Sequence, residues 1–187
     1  MAILFTCLYA IVVFSVLIAG FIYTYYHYKL GVGSAPSSAT ARAAMAVEIK
    51  SLGSVKTIVD MGSGTGGLVR ALAGSLPDTL VTGLDLSPPA HFVASLARKI
   101  FGPQNTQFLL RDFKNYDLSN TDAVVMYLTA NVQNSLSAHF KANLPPHAVV
   151  LCLNEALPDT DWQVYKTIET GHIIEPKLYC HRAKTKS

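Results

Sequence analysis

The sequence predicts an α/β protein with a doubly wound, mostly parallel sheet, a C-terminal antiparallel hairpin and one N-terminal transmembrane helix. Three observations predict this fold class. Strand-like and helix-like segments alternate from about residue 56 to residue 153, which is typical of a parallel sheet with helices on both faces. Two further strand-like segments, 162–170 and 176–182, are joined by a short turn around Gly171. The first 28 residues are almost entirely apolar.

Residues 1–28 are expected to form a single-pass membrane anchor. No Asp, Glu, Lys or Arg occurs before Lys29. As a helix rising about 1.5 Å per residue, Ala2 to Ile22 would span roughly 31 Å, the thickness of the hydrocarbon core of a bilayer. A cleaved signal peptide is the alternative, but it would have an early basic residue and a shorter apolar core.

The residues that follow the apolar segment indicate its orientation. An aromatic and basic collar of the kind found at lipid headgroups comes next: Tyr23, Tyr25, Tyr26, His27, Tyr28 and Lys29. Lys29 and Arg42 lie on the C-terminal side of the segment, so the positive-inside rule places the rest of the chain in the cytosol or an equivalent compartment. Residues 29–39 are rich in Gly and Ser and are expected to form a flexible linker.

Residues 40–187 are expected to form one folded domain. Ser38 or Thr40 can cap a first helix that ends near Leu52. The alternating elements that follow are strand 56–61, helix 65–75, strand 80–85, helix 88–101, strand 106–110, strand 121–127, helix 131–143 and strand 147–153. Residues 154–161 are few and include Pro158, which leaves little room for a helix before the hairpin.

The glycine-rich turn after the first strand of the domain is the most informative segment. Residues 58–67 read Ile-Val-Asp-Met-Gly-Ser-Gly-Thr-Gly-Gly. A short strand therefore ends in a carboxylate and turns into a helix. Glycines let the backbone approach a ligand closely and adopt positive φ. The pattern predicts a site for a nucleotide-like ligand at the edge of the sheet.

Two kinds of ligand fit the glycines of this turn. Gly62, Gly64 and Gly67 match the dinucleotide fingerprint G-x-G-x-x-G, whereas Gly62, Gly64 and Gly66, together with Asp60, match acid-x-G-x-G-x-G. Asp60 favours the second pattern, because a carboxylate would repel the pyrophosphate of a nicotinamide or flavin cofactor. S-adenosylmethionine has no phosphate and carries an ammonium group that an acid can bind. We therefore expect S-adenosylmethionine as the ligand.

Two further acids lie at predicted strand ends. Asp85 ends the second strand and can accept hydrogen bonds from both ribose hydroxyls. Asp112 follows the third strand and can accept from the adenine amino group, while Phe113 lies against the ring. Because three acids occur in register with one glycine loop, the series Asp60, Asp85 and Asp112 supports an adenosine-containing ligand.

Residues from about Ala39 to Ala183 resemble the seven-strand, Rossmann-like (class I) S-adenosylmethionine-dependent methyltransferases. The matching motifs are the glycine loop, Gly-Leu-Asp-Leu-Ser-Pro at 83–88 and Arg-Asp-Phe at 111–113. The layout is similar to the membrane-anchored group that includes the lysine methyltransferases of the ATP synthase c-subunit and their bacterial relatives. The resemblance implies methylation of a lysine in a membrane protein. The cofactor contacts it implies are Asp60, Gly62, Ser63, Gly64, Gly66, Asp85, Leu86, Asp112 and Phe113.

The segment after the fourth strand is expected to form the wall opposite the glycine loop. Tyr127 can face the transferred methyl group, and Asn131 can orient an amine. Alternatively, Tyr127 packs in the core and Asn131 caps the next helix. Seven-strand lysine methyltransferases often carry D-x-x-Y here, whereas Asp122 and Tyr127 are five apart in this chain. Two other functions fit the sequence: methylation of a lipid, quinone or other small hydrophobic acceptor, and cofactor binding without turnover.

Composition limits the other partners. The net charge of +3 is modest and no stripe of Lys and Arg occurs, so we expect no nucleic-acid partner. The three cysteines form no C-x-x-C motif and no His/Cys cluster at ligand spacing, so neither a metal nor a disulfide framework is expected. The expected partners are the bilayer and a membrane-embedded protein substrate.

Overall fold

A computed structural model describes residues 2–30, 36–158 and 160–184. Its helices are α1 (Ala2–Leu30), α2 (Ala39–Ser51), α3 (Gly67–Ser75), α4 (Pro88–Phe101) and α5 (Ala130–Asn143). Its strands are β1 (Thr57–Met61), β2 (Leu80–Asp85), β3 (Thr106–Leu110), β4 (Ala123–Met126), β5 (Val149–Leu153), β6 (Trp162–Glu169) and β7 (Lys177–Ala183). A short 3-10 helix, Phe113–Asn115, follows β3.

The seven strands form one sheet in the order β3-β2-β1-β4-β5-β7-β6. The first five strands are parallel, and β7 runs antiparallel to both β5 and β6. The predicted fold class is thereby confirmed, including the terminal hairpin. Because β1 and β4 are neighbours although β2 and β3 come between them in the chain, the strand order reverses there. Ligands bind at such a reversal, beyond the carboxyl ends of the strands.

Side-chain caps fix where the helices begin. Ser38 caps α2, since its Oγ accepts a hydrogen bond from Ala41 N at 3.1 Å. Ser87 caps α4, accepting from Ala90 N at 3.4 Å, and Pro88 follows as the first helical residue. Both caps satisfy backbone donors that a helix N-terminus leaves unpaired. The predicted starts of these two helices are therefore confirmed, with Ser38 rather than Thr40 as the cap of α2.

The sheet separates two apolar cores. On one face, α2 and α3 pack against the strands through side chains such as Met45 and Leu72. On the other, α5 contributes Phe140, whose ring meets the edge of the Trp162 ring at a centroid distance of 6.4 Å. Because both faces are covered, every residue of β4 and β5 is buried.

Three hydrogen bonds hold α2 against the terminal hairpin. Glu48, buried in α2, accepts from the hydroxyl of Tyr165 at 2.9 Å and from Lys166 Nζ at 2.5 Å. At the other end of α2, Ser38 N donates to Glu175 Oε2 at 2.6 Å. A buried carboxylate is tolerated when it is paired in this way. The N-terminus of α2 is thus fixed beside the turn that joins β6 to β7.

The connection from β5 to β6 has no helix among its described residues, as expected from its length. Buried His181 on β7 holds it in place. Its Nε2 accepts from Leu157 N at 3.1 Å, and its Nδ1 donates to Val150 O at 3.1 Å. Burial lowers the pKa of His181, so the ring stays neutral and can make both bonds.

Helix α1 is long and apolar enough to cross a membrane. Its residues Leu4–Ile22 have a mean hydropathy of 2.5, and none of them is buried. The helix lies against α4. Lys29 and Leu30 continue α1 and Ala39 begins α2, so the segment between these helices is shorter than the predicted linker. Residues 31–35 of that linker, and most side chains of the aromatic collar, lie outside the described residues.

Asp122 lies at the sheet edge opposite the glycine loop, where β4 begins. Its Oδ2 accepts from Lys56 N at 2.7 Å and from Thr57 N at 2.9 Å, and its Oδ1 lies 3.1 Å from His147 Nε2. Burial alone would raise the pKa of this carboxyl, but these hydrogen bonds hold it below its usual value. Asp122 therefore supports the start of β1 and lies away from the predicted site.

We expect Asp122→Ala to lower the free energy of unfolding by about 1–3 kcal/mol at pH 7, because it leaves backbone amides of β1 unpaired. In the wild type this stabilisation should persist down to about pH 4 and be lost as the pH falls further through the lowered native pKa. Urea unfolding in detergent between pH 3 and pH 7 measures both effects. Asp78→Ala, at an exposed acid, is the control. Equal stability of the two variants at pH 7 would contradict the prediction.

Candidate cofactor and acceptor site

The glycine loop is held by β2. Gly62, Gly64 and Gly66 all have positive φ, at 79°, 53° and 77°. The amides of Gly62 and Ser63 both donate to Leu84 O at 2.9 Å. The loop therefore turns sharply at the carboxyl ends of β1 and β2 and leads into α3, whose N-terminal amides point along the helix axis toward it.

Two glycines are required by close contacts, and Gly66 is required by its positive φ as well. A Cβ atom on Gly66 would lie 2.4 Å from Cζ of Phe108, and one on Gly83 would lie 2.7 Å from Ser63 Oγ. Phe108 comes from β3 and packs beneath the loop. Phe108 and Gly83 are not among the site residues predicted from the sequence. A signal for Gly83 existed, because a glycine inside a strand often marks a close approach of another chain segment.

Asp85 joins the loop after β1 to the loop after β2. Its Oδ2 accepts from Gly64 N and its Oδ1 from Ser87 N, both at 2.7 Å. A carboxylate has about four lone-pair sites, so each oxygen can still accept one more hydrogen bond. Leu86, the next residue, is 38% exposed at the same edge of the sheet.

Asp60 is almost fully buried at the end of β1, with 3% exposure. Burial, followed by the negative charge of Asp85, raises the pKa of Asp60 to about 8. Without a ligand the carboxyl group therefore carries its proton at neutral pH. A cation placed beside it would favour the ionised form.

Asp112 and Phe113 lie just beyond the end of β3. Asp112 Oδ1 accepts from Lys114 N at 2.9 Å and so caps the short 3-10 helix. Phe113 is buried in the second core, beside Leu84 and Leu118. All the predicted cofactor contacts therefore lie at one edge of the sheet, along the carboxyl ends of β1, β2 and β3.

Tyr127, directly after β4, is half-buried and packs against the first core. Burial and then the charge of Glu175 raise the pKa of its hydroxyl. Glu175, in the turn between β6 and β7, is 1% exposed. Glu175 is not among the site residues predicted from the sequence, because only the order of the strands in the sheet brings this turn beside β4. Asn131 is exposed in the first turn of α5; Thr129 is the N-cap residue, so the alternative that Asn131 caps this helix is wrong.

The same turn contacts Asn154, which follows β5 with a φ of 69°. Asn154 Nδ2 donates to Ile174 O at 2.8 Å. Its Oδ1 is buried without a hydrogen-bond partner, as is His172 Nδ1 in the turn itself. Buried polar atoms are nearly always paired in proteins, so these two atoms can form a hydrogen bond with a water molecule or a polar ligand.

Two arginines flank the start of α3. A Cβ atom on Gly67 would lie 3.4 Å from the guanidinium of Arg42, which donates from Nε to Ser37 Oγ at 3.1 Å. Arg70 Nη1 donates to Thr65 O at 2.7 Å. Burial, and then the charge of Arg42, lowers the pKa of Arg70. The loop therefore has an acid at one end and two cations at the other.

Residues 58–146 match a family model described as a methyltransferase domain. No curated protein matches the chain. The fold of the chain is that of the class I methyltransferases, as solved structures show. An RNA methyltransferase from Salinibacter ruber, in complex with S-adenosyl-L-homocysteine, is 18% identical with a TM-score of 0.68. The match covers 82% of this chain and 95% of that one.

Two other solved structures show the same fold. A precorrin-6y C5,15-methyltransferase from Geobacter metallireducens is 15% identical, with a TM-score of 0.60 and coverage of 83% of this chain and 94% of that one. A ribosomal protein L11 methylase from Lactobacillus delbrueckii subsp. bulgaricus is 16% identical, with a TM-score of 0.64 and coverage of 78% and 79%. Since the names of these proteins give different acceptors, the fold does not select one.

We expect Gly66→Ala to destabilise the protein more than Gly53→Ala. Both glycines have positive φ, but only Gly66 has a side chain within reach of the added methyl group. The Gly53 variant should lose about 1 kcal/mol from backbone strain, whereas the Gly66 variant should lose about 1–3 kcal/mol more from overpacking against Phe108. Urea unfolding of both variants measures the difference. Equal losses would contradict the close approach of Phe108.

Proposed function

We propose that this S-adenosylmethionine-dependent methyltransferase is anchored in a membrane by α1 and methylates a lysine side chain of a membrane protein. The observation that carries the proposal is the buried carboxylate of Glu175 beside Tyr127, at the edge of the sheet that holds the glycine loop. The candidate span in α1 supports the membrane location.

The residues at the glycine loop fit the cofactor. Asp60 would bind its ammonium group, and Asp85 would accept from the ribose hydroxyls with the lone pairs that Gly64 N and Ser87 N leave free. Asp112 would accept from the adenine amino group, with Phe113 beside the ring. The positive φ angles of Gly62, Gly64 and Gly66 support this placement, because they turn the loop sharply at the carboxyl ends of β1 and β2.

The cations at the start of α3 are suited to bind the carboxylate of S-adenosylmethionine. S-adenosylmethionine carries a carboxylate next to its ammonium group. Arg42 and the N-terminal amides of α3 would attract that carboxylate. When bound, the cofactor supplies an electrophilic methyl group on a sulfonium. The acid and the arginines of the chain would bind its two charged groups and thereby orient it.

The groups opposite the loop favour an amine as the acceptor. Asn154 Oδ1 and the oxygen of Tyr127 can accept hydrogen bonds from an amine and so direct its lone pair. A lysine has an unperturbed pKa of about 10.4 and must lose a proton before it can attack. Glu175, a buried carboxylate at this edge, would accept that proton. Burial of the amine would lower its pKa and assist the transfer.

One observation favours a second acceptor class. Ile173 and Ile174, at the tip of the β6–β7 turn, are 97% and 68% exposed. An apolar rim beside the acceptor groups would also suit a lipid, a quinone or another small hydrophobic molecule. The two acceptor classes differ in where a transferred methyl group is recovered, so one experiment separates them.

Binding of S-adenosylmethionine should release protons at pH 6.5. Asp60 is protonated in the free protein, and an ammonium group beside it makes the ionised form favourable. An α-amino group is already charged at this pH, since its pKa is about 7.7–8.0. Calorimetry in two buffers of different ionisation enthalpy measures the released protons. Asp60→Asn should bind more weakly and release none. Equal proton release by both proteins would contradict this role for Asp60.

Methyl transfer is tested with purified full-length protein, radiolabelled S-adenosylmethionine and membranes of the host cell. Label recovered as methyl-lysine in protein supports the proposal. Label in extractable lipid supports the second acceptor class. Absence of label despite cofactor binding would show a domain that binds without turnover. Asp85→Ala should abolish labelling, because it removes both the loop contacts and the ribose acceptor.

Glu175→Gln should lower the rate of protein labelling by about 10²-fold or more if Glu175 accepts the proton. The affinity for S-adenosylmethionine should stay unchanged, because Glu175 lies on the acceptor side. A glutamine can still accept from Ser38 N, so the fold should be retained. Glu169→Gln, at an exposed acid at the end of β6, is the matched control and should label at the wild-type rate. Full activity of the Glu175 variant would contradict its role.

A further inference from the structure

Helix α4 has an apolar face that the domain leaves exposed. Phe92, Val93, Leu96 and Ile100 are 66%, 47%, 45% and 68% exposed. Three of them follow a spacing of four residues, so they form one stripe along the helix. The sheet covers a different face of α4, at Ala90 and Ala94. A contiguous apolar surface of this kind marks an interaction site.

The charges of α4 indicate what covers this stripe. The helix contains no Asp or Glu, and its last turn carries Arg98 and Lys99, both exposed. Lys99 is three residues after Leu96 and therefore lies at the border of the stripe. An apolar face bordered by basic side chains, without acids, fits the interface of a bilayer that contains anionic lipids.

The position of α4 beside α1 is consistent with contact between α4 and a bilayer. Helix α1, which contains the candidate span Leu4–Ile22, lies against α4. If α1 crosses a membrane, α4 is held beside that membrane. This role of α4 rests on the anchoring included in the proposed function.

We propose that α4 lies in the plane of the membrane interface, with Phe92, Leu96 and Ile100 at the boundary between headgroups and acyl chains. Lys99 and Arg98 contact anionic headgroups. Ser87, the cap of α4, is bonded through its amide to Asp85 of the cofactor site. Docking of α4 therefore fixes the distance between the bilayer and the cofactor edge, by which we mean the carboxyl ends of β1, β2 and β3. The methyl acceptor must then lie close to the membrane surface.

The test uses the full-length chain in protein-free lipid vesicles, either purely zwitterionic or with added phosphatidylserine. Cys7 is replaced by serine, and Cys152 and Cys180 are buried. A polarity-sensitive fluorophore is attached to Leu96→Cys. The matched control is Val47→Cys on α2, which is 67% exposed on a helix that packs against the opposite end of the sheet. Nitroxide-labelled lipids then report contact with the bilayer.

We expect the label at Leu96 to shift its emission to the blue and to be quenched severalfold more strongly by nitroxide lipids than the label at Val47. Adding phosphatidylserine should increase the quenching, and Lys99→Glu should remove that increase. Equal, water-like emission from both labels would overturn the inference. A blue shift without quenching by lipids would also overturn it, since protein would then cover the stripe.

Extraction with alkaline carbonate separates failure of this inference from failure of the proposed function. If the chain stays in the vesicles while Leu96 remains exposed to water, only the docking of α4 is wrong. If carbonate releases the chain, α1 is not an anchor, and both the anchoring and the docking are overturned.

Discussion

The cofactor edge of this protein depends on one carboxylate that two loops share. Asp85 accepts from the amide of Gly64 on one side and from that of Ser87 on the other. Hydrogen bonds to an ionised acceptor are stronger than those between neutral groups. A loop with three glycines at positive φ has much conformational freedom to lose on folding, and the bonds to Asp85 and Leu84 fix it before any ligand arrives.

Local patterns predict the fold because most of its elements are specified by neighbouring residues. Alternation of strand-like and helix-like segments, serine caps at residues 38 and 87, and acids at three strand ends can all be recognised within short windows. The observed sheet and the methyltransferase-domain match confirm the fold class. Small differences between the predicted and the observed bounds of the elements also have local causes. Helix α3 begins at Gly67 rather than residue 65, because Gly66 takes the left-handed conformation that precedes it.

The acceptor side could not be predicted in the same way, since it is assembled from segments distant in the chain. Glu175 lies near enough to influence Tyr127 because β7 runs antiparallel beside β5. Asn154 contacts the same turn from the end of β5. Phe108 lies beneath Gly66 through pairing of β2 with β3. Asp122 is the opposite case, a residue that is close to Tyr127 in the sequence but distant from the site. It precedes β4 and Tyr127 follows β4, so the two residues lie at opposite edges of the sheet.

The short connection between β5 and β6, pinned by His181, has a consequence for selectivity. Among its described residues no helix covers this corner of the sheet. A domain without a covering helix there has fewer side chains with which to select a substrate by its shape. Tethering can replace shape, because confinement to one surface raises the effective concentration of targets that share it. If α1 anchors the chain as proposed, the membrane in which the chain resides would supply part of its selectivity.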